Sequence, residues 1–219
     1  MQVDPLVRLD GISKGYGDRP VLRDVRMDLR RGEATSLVGA SGSGKSTLIS
    51  LLAGLSSPDD GHVVFDGDAL DELDDAGRAR LRARRIGIVL QSGNLIPFLT
   101  AAENVELAAR LGHADGGHGR DVLDELGVAD RADHLPRRMS GGQAQRVAIA
   151  VALANDPDLL LADEITGQLD SRTADHVMRS VVEAGARRGL TVLFVTHDHD
   201  LAARADRRLV VDEGTVHER

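Results

Sequence analysis

The chain of 219 residues contains no cysteine and no tryptophan, only one tyrosine and only three phenylalanines. Without cysteine, disulfides and thiolate metal sites are excluded, which is typical of a protein in a reducing compartment. No apolar run approaches the length that crosses a bilayer, and the opening residues MQVDPLVRLD lack the basic and apolar regions of a secretory signal. We therefore expect a cytoplasmic protein that reaches a membrane only through a partner.

Positive charge is also scarce. The chain has 35 acidic against 27 basic residues and a formal net charge of −8, which argues against a general nucleic-acid-binding surface, so we expect no nucleic-acid partner. Only two of the basic residues are lysines, Lys14 and Lys45. Because arginine supplies nearly all the positive charge of this chain, the lysine at position 45 needs a specific explanation.

Short apolar runs alternate with helical patterns at both ends of the chain, which predicts an α/β fold with a parallel sheet and helices on its faces. The predicted strands are 6–9, 21–25, 34–38, 63–65, 86–90, 159–162, 191–195 and 209–211, and the main predicted helices are 46–53, 70–85, 120–126, 140–155 and 171–188. We interpret 1–219 as a single domain, in which 1–91 and 156–219 form a β region plus the sheet core and 92–155 is an inserted helical subdomain.

The stretch GASGSGKS at residues 39–46 matches the phosphate-binding loop pattern GxxxxGK[ST] and stands between a predicted strand and a predicted helix. Its glycines let consecutive backbone N–H groups turn toward a phosphate, and the helix N-terminus adds partial positive charge. Lys45 would reach the β- and γ-phosphates, and Ser46 would offer its hydroxyl to Mg²⁺. A glycine-rich turn that only joins strand and helix does not need the lysine. The predicted nucleotide-binding residues here are Gly39, Ala40, Ser41, Gly42, Ser43, Gly44, Lys45, Ser46 and Thr47.

Two acids, Asp163 and Glu164, follow the apolar run LLLA. Asp163 would hold the magnesium, and Glu164 would orient and deprotonate the attacking water. An acidic turn that only ends a core strand is the alternative. Asp163 lies 118 residues after Lys45, far more than one crossover requires, so the helical block is inserted between the two halves of one site.

Gln91 follows a predicted buried strand, where its amide oxygen is suited to ligate magnesium, although a plain surface glutamine has the same signature. The apolar residues after it cannot form a long helix through Pro97. They predict a loop that exposes Leu95, Ile96 and Phe98 to a partner, and burial in the core of this chain is the alternative.

His197 follows another predicted strand, where it would contact a γ-phosphate. The run HDHD that it opens lacks a further ligand set for a metal, so we interpret His199 as solvated. Tyr16, the one tyrosine, lies between two glycines in a loop ahead of the phosphate motif, and its ring is suited to stack on adenine. A simple surface tyrosine is the alternative interpretation.

With MSGGQ at residues 139–143, these motifs resemble those of the ATP-binding subunits of ABC transporters over nearly the whole chain. The resemblance implies a P-loop NTPase (RecA-like) core with an N-terminal antiparallel β region and an inserted α-helical subdomain, and it implies ATP and Mg²⁺ as cofactors. It also implies a head-to-tail homodimer, or a pair with a related ATPase subunit. In that dimer, one subunit contacts the γ-phosphate of the ATP held by the other through Ser140, Gly141, Gly142 and Gln143.

The same resemblance implies that Gln91 is a moving coupling glutamine, His197 a switch histidine, Tyr16 the adenine platform and Asp170 a dimer contact. The implied partner is a multi-span membrane permease contacted through residues 91–99, which places the protein on the inner face of the cell membrane. The segments NLIPFLTAAENV and TGQLD look most like the lipoprotein-release and macrolide-efflux branch, and hence export or envelope-directed transport. A small phosphate-loop kinase does not explain the SGGQ motif. A non-transport ATP switch in a cell-envelope or division complex shares every catalytic motif and stays open.

Several positions depart from the family pattern: Met139 for leucine, Ala144 for glutamine, Val151 for arginine, Ile165 for proline, and Gln168 for asparagine, alanine or serine. We expect the apolar exchange at Met139 to be tolerated. Loss of the proline frees a φ angle next to Glu164, which predicts slower hydrolysis or looser dimer coupling.

Overall fold

The computed structural model describes residues 4–91, 94–112, 119–167 and 169–219. The strands are β1 (Val7–Tyr16), β2 (Arg19–Leu29), β3 (Ala34–Gly39), β4 (Asp60–Phe65), β5 (Asp68–Ala69), β6 (Ile86–Val89), β7 (Leu159–Asp163), β8 (Thr191–Val195), β9 (Arg207–Asp212) and β10 (Thr215–Glu218). The helices are α1 (Lys45–Leu52), α2 (Asp75–Arg85), α3 (Ala101–Leu111), α4 (Gly119–Glu125), α5 (Gly141–Leu153), α6 (Ser171–Arg188) and α7 (His199–Ala202).

Two sheets of different kinds form the framework. A four-stranded antiparallel sheet has the order β2-β1-β4-β5, and a six-stranded sheet has the order β10-β9-β3-β8-β7-β6. Five strands of the larger sheet run parallel, and β10 pairs antiparallel with β9 at its edge. The predicted fold class is confirmed. Because parallel strands end on the same side, the polar residues that follow β3, β6, β7 and β8 meet at one edge.

The six-stranded sheet is buried on both faces, and alternate residues of β7 show this directly. Leu159 and Leu161 pack into an apolar cluster shared with the antiparallel sheet and α1. Leu160 and Ala162 point the other way, into a cluster shared with α3, α4, α5 and α6. The helical block at 101–153 thus packs on one face of the sheet that carries the predicted site.

Some predicted boundaries are wrong for local reasons. The helix predicted over 70–85 begins only at Asp75, because the Asp74 carboxylate accepts a hydrogen bond from the Gly77 N–H (2.6 Å) and starts the helix there. Leu70–Glu72 forms a separate 3₁₀ turn. The helix predicted to reach residue 155 ends at Leu153, and β5, α7 and β10 were not predicted.

The N-terminal strands are longer than predicted. β1 and β2 form a hairpin with register shifts after Leu9, and they continue to a two-residue connection at residues 17–18. Gly17 takes a φ of +58°, which suits a tight turn. The sequence had suggested that Tyr16 lies in a loop, but in the structure it is the last residue of β1. Among the described helices, none combines the length and the apolar character of a membrane-spanning segment.

Candidate functional site

An open cleft of about 480 Å³ lies at the edge of the six-stranded sheet where the parallel strands end. Its wall contains the predicted residues Tyr16, Ser41, Gly42, Gly44, Lys45, Ser46, Thr47, Gln91, Asp163 and Glu164. Residues from four separate parts of the sequence are thus brought together, as one site for nucleotide and metal requires. Arg19 and Val21 also line the cleft and were not predicted.

The phosphate-loop segment leaves β3 at Gly39 and enters α1 at Lys45. Gly44 has a φ of +111°, and a Cβ there would lie 2.8 Å from Leu22 Cδ2. A Cβ on Gly39 would lie 2.5 Å from the carbonyl oxygen of Val211. The two glycines at the ends of the motif are therefore needed to fit the loop against β2 and β9, in addition to any contact with phosphate.

Lys45 is held by the loop that it belongs to. Its side chain is buried, and the Nζ ammonium donates hydrogen bonds to the carbonyl oxygens of Gly39 (3.0 Å) and Ala40 (2.8 Å). These bonds satisfy a buried charge that would otherwise be costly. They also fix the ammonium beside the loop, where the motif requires a cation for phosphate oxygens.

Asp163, the last residue of β7, faces the first turn of α1 across the cleft. Burial raises the pKa of the Asp163 carboxyl; the negative charge of Glu164 acts in the same direction, while a hydrogen bond with Ser46 and the charge of Lys45 act against it. The carboxylate, the Ser46 hydroxyl and the Gln91 amide supply hard oxygen donors in one cleft, which is the donor chemistry that Mg²⁺ prefers. Across the described ranges no cluster of three His, Cys, Asp or Glu side chains is placed to hold a metal, so phosphate and water oxygens would have to complete the coordination.

Glu164 occupies a strained turn directly after β7. It has a φ of +46°, unusual for a residue with a side chain. Its N–H donates to the Val195 carbonyl (3.2 Å), and its own carbonyl accepts from Gly167 (3.1 Å). The side-chain N–H of Gln91 donates to Glu164 Oε2 at 3.3 Å. The carboxylate is thus fixed from both its backbone and its tip, as a positioned general base must be.

His197 lies near these residues but does not line the described part of the cleft. It is exposed after β8, beside Gly167: a Cβ on Gly167 would lie 3.9 Å from His197 Cε1 and 3.7 Å from Gln91 Nε2. His197 and Gln91 therefore both lie close to Gly167, near the backbone of Glu164. Its contact with a γ-phosphate stays a prediction.

Tyr16 presents its ring at the mouth of the cleft. The side chain is 56 % exposed, and the Lys14 ammonium lies 5.8 Å from the ring centroid. Arg19 stands opposite Tyr16 across the hairpin, and Val21 follows on the same strand. The tight Gly17 turn could have indicated this pairing from the sequence, because it fixes which residue faces Tyr16.

The signature residues begin α5 with a capping box. The Ser140 Oγ accepts from the Gln143 N–H (3.3 Å), and the Gln143 side-chain oxygen accepts from the Ser140 N–H (3.0 Å). A Cβ on Gly142 would lie 2.4 Å from Thr173 Cγ2, so this glycine lets α5 approach α6. Asp170 caps α6 through Thr173, whose two hydrogen bonds lower the pKa of the Asp170 carboxyl.

In the ranges that the structure describes, Ser140, Gly141, Gly142, Gln143 and Asp170 all lie outside the nucleotide cleft. Gly141 lines a second cleft of about 330 Å³, which shares only Gln91 and Glu164 with the first. Glu164, the predicted general base, thus lines both of these described clefts.

The loop after Gln91 is partly exposed. Phe98 is 77 % exposed, as predicted, but Leu95 packs against the helical core and its predicted exposure is wrong. The buried Asn104 side chain holds the loop by accepting from the Ile96 N–H (2.7 Å) and donating to three carbonyls. Residues 92 and 93 lie outside the described residues.

Most of the residues that depart from the family pattern pack against the core of the helical block. Ile165 is 4 % exposed within the helical core cluster, and Met139 and Val151 pack against the same cluster. The turn after Glu164 is therefore anchored by a buried side chain where the missing proline suggested freedom. Ala144 lines the second cleft. Gln168 lies outside the described residues.

Comparison with known proteins identifies the family. Residues 22–167 match the family model described as ABC transporter. The uncharacterized ABC transporter ATP-binding protein YbbA of Escherichia coli (strain K12) is 44 % identical over 211 residues, which cover 94 % of this chain and 92 % of YbbA.

Solved structures agree. The dimeric structure of MJ0796, a bacterial ABC transporter cassette, superposes with a TM-score of 0.87 at 38 % identity over 97 % of both chains. The same cassette in a post-hydrolysis state bound to ADP and Pi gives a TM-score of 0.86, again at 38 % identity over 97 % of both chains. The fold and site define a nucleotide-binding cassette, and the chain belongs to the ATP-binding proteins of the ABC transporter family. It is an ATPase.

Proposed function

We propose that this chain is the nucleotide-binding subunit that dimerises head-to-tail on ATP and powers a membrane permease in export or envelope-directed transport. The proposal rests on the division of the site: one cleft is lined by Lys45, Asp163 and Glu164, and residues 140–143 do not line it. Each chain then supplies two half-sites, and two chains make two complete ones. The whole of 1–219 acts as one cassette, with 92–155 as its inserted helical subdomain.

The nucleotide half-site binds ATP through the phosphate loop and Lys45. Ser46, Asp163 and Gln91 would hold Mg²⁺, which would neutralise charge on the β- and γ-phosphates. Glu164 accepts the proton of the attacking water, and its backbone turn and the Gln91 hydrogen bond hold it in place.

The signature half-site binds the γ-phosphate on the other chain. The N-terminus of α5 carries a partial positive charge, and the capping box leaves the N–H groups of Gly141 and Gly142 for an anion. A related cassette, MJ0796, has been solved as a dimer, which supports this arrangement. A homodimer, or a pair with a related subunit, serves equally.

The permease contact is assigned to residues 91–99. Phe98 offers an exposed apolar side chain there. Gln91, at the start of the loop, is hydrogen-bonded to the Glu164 carboxylate, so a movement of the loop would shift the proposed base. The protein would then lie on the cytoplasmic side of the cell membrane. The similarity of the loop sequence to the lipoprotein-release and macrolide-efflux branch supports an envelope-directed role.

Two measurements test the proposal. Lys45→Ala should abolish ATP binding in calorimetry and remove Mg-dependent hydrolysis, with circular dichroism showing the same fold. Tight ATP binding by this variant would contradict the site. Extraction of the native protein from membranes should recover a multi-span partner, whereas recovery with envelope or division proteins alone would favour the non-transport switch.

A further inference from the structure

Arg19 is a residue at the nucleotide cleft for which the motifs give no role. It opens β2 and stands directly opposite Tyr16 in the β1–β2 register. Directly paired residues of antiparallel strands project from the same face of a sheet. Val21, two residues further along β2 at a register shift of the hairpin, lines the nucleotide cleft together with Tyr16 and Arg19.

Arg19 forms no ion pair with any of the described residues. On the same two strands, Lys14 pairs with Asp59 (2.6 Å) and Arg26 with Asp24 (2.9 Å), whereas Arg23 is unpaired within the described residues. Arg19 has no ion pair and no side-chain hydrogen bond within the described residues. Its guanidinium is exposed at the cleft, and the only other cation lining the described cleft, Lys45, is bound to loop carbonyls.

Position along the cleft indicates which part of a ligand Arg19 would meet. Tyr16, the proposed base platform, and Arg19 face each other at the end of the β1–β2 hairpin. Two residues further along β2, Val21 lies against the phosphate loop, because a Cβ on Gly44 would be 3.3 Å from Val21 Cγ1. Arg19 is attached beside Tyr16, and the cleft that it lines extends to the loop. A guanidinium carries a planar fork of donors that matches two oxygens of one phosphate group.

We propose that Arg19 binds the α-phosphate of the nucleotide and so joins the base platform to the phosphate loop. This inference rests on the proposed function, because it requires ATP to lie in this cleft. It adds a recognition contact that none of the sequence motifs contains. Because the contact is made equally with ATP and ADP, it stabilises nucleotide binding before and after hydrolysis.

The chain offers a matched control in Arg23, on the same strand. Arg23 does not line the nucleotide cleft; it lines a neighbouring groove together with Arg19, Gly42, Ser43, Glu213 and Gly214, and it too has no ion pair in the described ranges. Arg19→Ala and Arg23→Ala therefore remove the same charge from the same strand, one inside the nucleotide cleft and one outside it. Both side chains are exposed, so unfolding temperatures without ligand should stay at the wild-type value.

The test is binding of ATP and of ADP by calorimetry, with adenosine as a competitor. Arg19→Ala should weaken ATP and ADP equally, by about tenfold, with part of the loss recovered in Arg19→Lys. Arg23→Ala should bind like wild type, and the inhibition constant of adenosine should not change in any variant.

Four results would overturn the inference: wild-type affinity in Arg19→Ala, a loss for ATP alone, an equal loss in Arg23→Ala, or a parallel loss for adenosine, which would indicate a disturbed Tyr16 platform. Wild-type protein that binds no nucleotide would instead refute the proposed function itself.

Discussion

Ser140 and Gln143 hydrogen-bond to each other's backbone at the start of α5, through a serine Oγ at 3.3 Å and a glutamine side-chain oxygen at 3.0 Å. A helix N-terminus leaves its first N–H groups without partners. The reciprocal bonds satisfy two of them, and the N–H groups of Gly141 and Gly142 keep no partner in the part of the chain that the structure describes. The Ser140 hydroxyl hydrogen also remains to be donated. Free N–H groups at a helix N-terminus are suited to bind an anion. The phosphate loop of the same chain lines a different cleft, so the anion would come from another molecule.

Asp163→Asn should stabilise the nucleotide-free protein while it abolishes Mg-dependent hydrolysis. The folded-state pKa of Asp163 is raised, chiefly by burial, so the ionised carboxylate opposes folding and the stability present at low pH is lost as the pH rises through that pKa. The asparagine has no such charge. The unfolding free energy of Asp163→Asn should therefore exceed that of wild type at neutral pH, and the difference should shrink as the pH falls.

Denaturant titrations of both proteins between about pH 4 and about pH 8, from near the ordinary aspartate pKa of about 3.9 upward, give the comparison. An Asp163→Asn variant less stable than wild type at pH 7 would show that the carboxylate is stabilised by its partners and not penalised by burial.

Phe98→Asp should leave the isolated subunit folded and active but release it from its permease. The side chain is 77 % exposed, so the substitution should change stability by less than about 0.5 kcal/mol. A charge in an apolar contact with a partner is costly. Leu95→Asp is the contrasting variant, because Leu95 packs against the helical core and its loss should lower the unfolding temperature. An unfolded Phe98→Asp protein would place this residue in the chain's own core.

Ile165→Ala should slow hydrolysis without weakening ATP binding. Ile165 follows Glu164 directly and is 4 % exposed in the helical core, so it anchors the turn that carries the base. Removal of a buried aliphatic side chain costs about 2–5 kcal/mol. Leu123→Ala in α4 removes a comparable side chain from the same cluster, away from Glu164. We expect kcat to fall in Ile165→Ala alone at unchanged KM; equal rates in the two variants, measured on folded protein, would remove any positioning role.

The sequence predicted those features that local signals determine. The loop at residues 39–46, the acidic pair and the SGGQ motif each stand beside a strand or helix that their own residues specify, and parallel strands bring their ends together. The pairing of Arg19 with Tyr16 follows from the two-residue turn at 17–18, and it was missed because the sequence analysis placed Tyr16 in a loop. The burial of Ile165 depends on a helical block distant in sequence, so the missing proline alone could not indicate that this side chain packs in the core. The effect on hydrolysis stays a prediction.

Glu164→Gln should trap the dimer in which two chains complete each other's sites on ATP. The exchange keeps the size of the side chain but removes the carboxylate that takes the proton, so hydrolysis should fall by roughly 10²- to 10⁴-fold while ATP binding survives. ATP should then hold the dimer together. Adding Ser140→Arg places bulk at the start of α5, outside the chain's own nucleotide cleft, and should block only the dimer.

The measurement is the molar mass of Glu164→Gln by size-exclusion chromatography with light scattering, with and without Mg-ATP, and again with Ser140→Arg added. We expect Glu164→Gln to be a dimer with Mg-ATP and a monomer without it. The double variant should be a monomer in both conditions and should still bind ATP. A Glu164→Gln protein that remains monomeric when calorimetry shows it saturated with ATP, or a double variant that dimerises as well as the single one, would contradict this expectation.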